Sequence, residues 1–192
     1  LSLCNKNFQK INNDDSTNAK NDLLLDVCYA AKFEGESIKA HLQQYDATYP
    51  GSGHTTCTAL ARSFADIGDI IRGKDLYSGN KGKKKKLDDS LKKIFGKIHS
   101  EVTRGKTNGA KDRYKDTDNY YELREDWWAL NRKEVWKAIT CDADGSYFHA
   151  TCSDSDGNSQ YQTQNQCRCT KSRGANANQV PTYFDYVPQY LR

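Results

Sequence analysis

CTALARSFADIGDII, running from Cys57 to Ile71, is the stretch that decides the fold class. Cys57, Leu60, Ala61, Phe64, Ile67 and Ile71 recur at steps of three and four, which places them on one face of an α-helix. Thr55 or Thr56 stands where a hydroxyl can cap the first turn, and Gly73 stands where a left-handed residue can end the last one. Three further segments carry the same period. From about Asp22, the positions Leu24, Val27, Cys28, Ala31, Gly35, Ile38, Leu42, Tyr45 and Tyr49 form a face that Pro50-Gly51-Ser52-Gly53 closes. Gly35 weakens the middle of that segment and is a place where it can split in two. Leu87, Leu91, Ile94, Phe95 and Ile98 mark another helix, with Asp88 and Asp89 near its positive end. The last runs from about Tyr120 to Thr140 on Leu123, Trp127, Trp128, Leu130, Val135, Trp136 and Ile139, with Trp128 and Trp136 read as core-facing.

No stretch alternates with period two for long enough to make a sheet, so the expected class is mainly α with long polar loops. The segment from Asp142 to Gln179 is rich in Asp, Ser, Asn, Gln and Gly and lacks a helical period. A loop that long inside a compact domain is usually functional or disordered, and here Cys152, Cys167 and Cys169 could tether it. Seven cysteines are available for such tethers: Cys4, Cys28, Cys57, Cys141, Cys152, Cys167 and Cys169. The closest pair, Cys167-Arg168-Cys169, is a CxC with no second pair like it, so the set reads as disulfides from an oxidising compartment rather than a zinc site. The odd count leaves one thiol that is free or pairs outside the chain. No run reaches the 18 or so apolar residues that span a bilayer, and no basic-then-apolar signal opens the chain. The sequence therefore reads as a piece of an ectodomain. It contains no Asn-x-Ser/Thr sequon, so N-glycans are not expected on its surface.

Chemistry is hard to place here. His41, His54, His99 and His149 are scattered, and no GxSxG, P-loop, GxGxxG or HExxH occurs. Cys57 follows His54 as a helix-start neighbour, not as a nucleophile. Asp142 to Ser146 and Asp154 to Asn158 imitate calcium loops, but neither offers Gly at the sixth position or Glu at the twelfth, so both read as turns. No enzyme activity, cofactor or metal is expected.

Charge is more informative. Between Arg72 and Arg113 there are 14 basic and 5 acidic residues, a net of +9, whereas the whole chain carries +4 and the remainder −5. The centre of this tract is Lys81, Lys83, Lys84, Lys85 and Lys86, followed by Lys92, Lys93 and Lys97 on the next helix. Lysines gathered this way attract polyanions by steering and counterion release. Outside a cell those polyanions are sulfated glycans, not nucleic acid. The plainer reading is a mobile lysine-rich loop that keeps the domain soluble.

Several long stretches resemble one family. They are Leu3-Cys4-Asn5, DLLLDVCYAAKFEGESI (Asp22 to Ile38), ARSFADIGDIIRGKDLY (Ala61 to Tyr77), WWALNRKEVWKAITC (Trp127 to Cys141), Cys167-Arg168-Cys169 and VPTYFDYVPQYLR (Val180 to Arg192). In this order and spacing they are similar to the alpha class of Duffy-binding-like domain, found in the variant erythrocyte membrane proteins of malaria parasites. Ser78 to Asn119 and Asp142 to Asn178 match no family string and correspond to the family's variable surface loops. The resemblance implies a disulfide-stapled helical scaffold in subdomains: 1–50 as part of the first with leading helices, and 51–192 as the second, with a third subdomain missing. It implies adhesion of infected red cells, in rosetting or cytoadherence, as an extracellular part of a membrane-anchored protein. The implied partners are red-cell or endothelial receptors, heparan-sulfate-like glycans, host antibodies and neighbouring domains of the same chain. A spacer or immune decoy without its own ligand is the alternative. The resemblance also implies Cys57 paired with Cys141 and Cys4 with Cys28, one pair among Cys152, Cys167 and Cys169 pinning the polar loop, and a leftover sulfur pairing downstream.

Overall fold

The computed structural model describes residues 19–49, 56–76, 81–104, 109–141, 143, 152–153, 160–161, 163, 166–169 and 179–192. Among these the helices are α1 (Ala19–Thr48), α2 (Thr56–Arg72), α3 (Lys81–Thr103), the single turn α4 (Ala110–Arg113) and α5 (Tyr121–Ile139). A short antiparallel pair, β1 (Cys152–Ser153) with β2 (Gln160–Tyr161), sets Cys152 opposite Tyr161. The tail makes two 3₁₀ turns, Phe184–Tyr186 and Gln189–Leu191. The molecule is mainly helical, as the periodicities predict. Asp142 and residues 144–150 and 154–159, which carry the two calcium-loop look-alikes, lie outside the described residues apart from Ala143.

Helix α5 is the centre of the packing because its apolar residues point in three directions. Trp127 meets Phe95 of α3 edge-on, with ring centroids 6.2 Å apart. Trp128 and Trp136 close on Phe64 of α2 at 5.1 and 5.0 Å. All three tryptophans are therefore core residues, and burying each aromatic ring stabilises the fold by roughly 1.5–3 kcal/mol. Leu130, which falls on the helical period, is instead 72% exposed. With three faces occupied, the fourth side of α5 is left to solvent whatever residue stands there.

Helix α1 is not split at Gly35. A Cβ built there would stand 2.1 Å from the backbone oxygen of Ile139. The glycine exists because the end of α5 lies directly on α1, and the tertiary contact outweighs the propensity cost of about 1 kcal/mol. Gly68 plays the same part for Trp128, whose ring would be 2.8 Å from an added Cβ. Gly73 has φ +74° and ends α2 as expected. Its N–H donates to the Ile70 carbonyl and that of Lys74 to the Asp69 carbonyl, the paired bonds of a Schellman stop. The last carbonyls of α2 are also covered from α5: buried Arg124 donates from Nε to Ile71 O at 2.6 Å and from Nη2 to Ile70 O at 3.0 Å.

Two disulfides lie among the described residues, Cys57–Cys167 and Cys152–Cys169. The second supplies the pair expected to pin the polar loop. The first corrects the expected Cys57–Cys141 bridge. Trp136, one turn before the end of α5, donates its indole N–H to Cys167 O at 3.0 Å, which lays the CxC segment over the start of α2. Arg168 meanwhile donates to Lys137 O at 2.6 Å and to Thr140 Oγ1 at 2.9 Å, closing the C-terminal end of α5. Cys141 is left exposed as a thiol beside this segment, its carbonyl accepting from Gln166 Nε2 at 3.0 Å. So the leftover sulfur is not one of the CxC group. Cys28 is half-buried and a free thiol, pushed up to about 11 by burial and then by the charge of Glu134. Its expected partner, Cys4, lies outside the described residues.

Candidate functional site

The lysine tract is a helix rather than a loop. Helix α3 begins at Lys81, so Lys83, Lys84, Lys85 and Lys86 occupy its first two turns, and Asp88 and Asp89 come a turn later than expected. Lysines near the positive end of a helix dipole are unfavourable there, and a tertiary anchor offsets this. Lys84 turns inward and donates from Nζ to Asp75 O at 2.6 Å, with the Asp75 carboxylate at 3.4 Å. The tract therefore divides by direction. Lys83, Lys85, Lys86 and Lys93 are exposed; Lys84, Lys92 and Lys97 are half-buried. Lys92 pairs with Asp88 at 3.1 Å. Arg72, at the start of the basic stretch, belongs to the core: it is 2% exposed, with its guanidinium on Asp69 at 2.9 Å.

Residues 109–120 form a strap docked between α3 and α5. Arg113 forks onto Asp126 at 2.6 and 2.7 Å, and Tyr114 donates to the same carboxylate at 2.8 Å. These bonds, the Arg113 fork foremost, hold the Asp126 carboxyl below the usual range. His99 of α3 reaches Tyr114 O at 2.9 Å. Asp116 accepts from the N–H groups of Asp118, Asn119 and Tyr121, fixing the left-handed Tyr120 ahead of α5. The strap carries Lys111 to the far end of α3, where an open cleft of about 380 Å³ is lined by Ser100, Glu101, Thr103, Arg104 and Lys111.

The tail is locked onto α2 and α5. Asp185 is fully buried. It accepts from Arg132 at 2.7 and 2.8 Å and from the Trp128 indole at 2.8 Å. The Arg132 guanidinium also donates to Thr182 O at 2.8 Å and lies over the rings of Phe64, Tyr183 and Tyr186. Arg72 donates to Asp185 O, and Arg192 forms an ion pair with Asp69. The string YFDYVPQYLR thus holds the scaffold together, and its tyrosines, Tyr183, Tyr186 and Tyr190, are left exposed.

A Duffy binding domain model matches residues 1–192, the whole chain. The chain belongs to that family. Solved members resemble it directly. A structure of the ICAM-1-binding PfEMP1 IT4var13 DBLbeta domain is 38% identical with a TM-score of 0.51, over 63% of this chain and 27% of that one. The same domain bound to ICAM-1 is 33% identical with a TM-score of 0.58, over 88% of this chain and 35% of that one. A second PfEMP1 DBLb domain, bound to human ICAM-1, is 31% identical with a TM-score of 0.55, over 74% and 33%. The chain therefore spans about a third of the length of these solved domains. They are beta-class domains, and the alpha-class resemblance rests on the sequence motifs. No protein with a curated description matches. Among the described residues, no helix is long and apolar enough to cross a membrane.

The sequence reading of the glycan-binding set named Lys81, Lys83, Lys84, Lys85, Lys86, Lys92, Lys93 and Lys97 as one group. The structure separates them around a cylinder and turns Lys84 inward. Arg104 and Lys111, which share the cleft, were missed. Only the helical register of α3 and the docking of the strap bring them together, and neither leaves a mark on local composition.

Proposed function

We propose that this chain is a host-receptor-binding adhesion module, non-catalytic and displayed outside the infected red cell as part of a membrane-anchored protein. The observation that carries the reading is the family match over all 192 residues. It is supported by solved relatives above 30% identity that are described as bound to ICAM-1. Partners of that kind, endothelial or red-cell receptors, are the class proposed here. Heparan-sulfate-like glycans are added by the charge on α3, with rosetting or cytoadherence as the outcome and host antibodies as the response. The spacer or decoy alternative has no observation of its own in its favour.

The test is a binding panel on the folded, disulfide-intact chain: immobilised ICAM-1, red-cell surface receptors, and heparin, each against a basic control protein of the same size. Saturable retention on at least one host ligand, above the control, is expected. Retention no better than the control on every surface would leave the spacer alternative in its place.

A further inference from the structure

Lys86, Lys93, Lys97 and Arg104 follow one another at intervals of seven, four and seven residues along α3 and its last turn. At 3.6 residues per turn, all four project within about 40° of one another. At 1.5 Å per residue they span about 27 Å. Lys86, Lys93 and Arg104 are exposed and Lys97 is half-buried. Beyond Arg104 the row continues across the open cleft to Lys111 on α4, with Ser100 and Thr103 in its wall. Glu101 also lines the cleft and confines an anion to the Arg104 and Lys111 side. Of the remaining lysines, exposed Lys83 borders the row, about 60° round the helix from Lys86, and the others lie off it. Lys84 is bonded to Asp75, and Lys85 and Lys92 lie about 100° round the helix, Lys92 beside Asp88.

We infer that this single-file row, and not the lysine cluster as a whole, is the site for a linear sulfated glycan lying along α3 with one end in the Arg104–Lys111 cleft. The inference rests on the glycan part of the reading above. A row of point charges suits a flexible chain of sulfates, because lysine needs no fixed fork geometry. Neither aromatic ring on this helix offers bases a platform to stack on, Phe95 being buried and His99 packed against Tyr120 with its ring nitrogen on Tyr114 O, so a single-stranded nucleic acid is disfavoured. Charge complementarity and the length of the row select a polyanion rather than a compact anion.

Two double variants separate direction from net charge. K86Q/K93Q removes two exposed charges from the row, and K85Q/K92Q removes the same charge at the same seven-residue spacing from the neighbouring face. Glutamine keeps the helix propensity of lysine, and circular dichroism checks that both stay folded. Binding to heparin is measured against NaCl concentration, with desulfated heparin and polyglutamate as competitors. K86Q/K93Q should elute at lower salt and lower the slope of log affinity against log salt by roughly 1.5, for two lost contacts. K85Q/K92Q should elute with the parent, and neither competitor should displace heparin. Equal shifts of the two variants, or no shift in either, overturn the row. Displacement by polyglutamate makes the occupant an acidic peptide and overturns the glycan. A parent chain not retained on heparin at all refutes the glycan reading itself rather than the choice of face.

Discussion

Removing the Asp185 carboxylate should loosen the whole tail. Asp185→Ala deletes the acceptor of two Arg132 bonds and one Trp128 bond, all within 2.7–2.8 Å and all at a residue with no exposure. The Arg132 side chain is only 12% exposed, so its charge cannot recover full hydration where it stands. Stripping one partner from a buried ion pair costs about 3–5 kcal/mol. Arg132 keeps its bond to Thr182 O and its place over the aromatic rings, which favours the lower half of that range. For a chain of 192 residues, a loss of 3–4 kcal/mol lowers Tm by on the order of 10 °C. The assay is equilibrium urea unfolding of the disulfide-intact chain, followed by tryptophan emission, on Asp185→Ala, Arg132→Ala and the double variant. The double variant should cost well below the sum of the singles, since it leaves neither charge alone. A single-variant loss under about 1 kcal/mol, or singles that add within about 0.5 kcal/mol, would refute the lock.

Gly35→Ala should destabilise by about 1–3 kcal/mol despite alanine's better helix propensity, because its methyl meets the Ile139 carbonyl 2.1 Å away. A neutral or raised Tm would contradict the close approach of α1 and α5. Non-reducing peptide mapping should recover Cys57 linked to Cys167 and Cys152 linked to Cys169. Recovery of a Cys57–Cys141 peptide would overturn that assignment. Replacing Cys57 and Cys167 together with serine opens a loop of 110 residues, which the chain-entropy model values at about 4–5 kcal/mol.

The elements themselves were legible because they depend on local information. Cys57, Leu60, Phe64, Ile67 and Ile71 form an apolar face in any helix that contains them, and all five are buried. The long motifs carried the family for the same reason, being contiguous strings. The placement of the lysines was less legible. Gly79 and Gly82 and a run of like charges argue locally for a loop, and the helix holds because Lys84 finds Asp75 across space. The burial of Arg124 and Arg132 leaves no local mark, since nothing nearby in sequence supplies the Ile70 and Ile71 carbonyls or the Asp185 carboxylate that hold them.

What the sequence by itself determined, then, was a helical, cysteine-tethered domain of the Duffy-binding family with an uneven charge along the chain. Tertiary structure alone decided which sulfurs meet, that Lys111 comes to the end of α3, and why Gly35 stands in mid-helix. The physical reason is the same for all three. Helical period and charge density are properties of neighbours in the chain, whereas a disulfide, the approach of Lys111 to Arg104 across the cleft, and a clash with Ile139 depend on distances set only when separate helices pack.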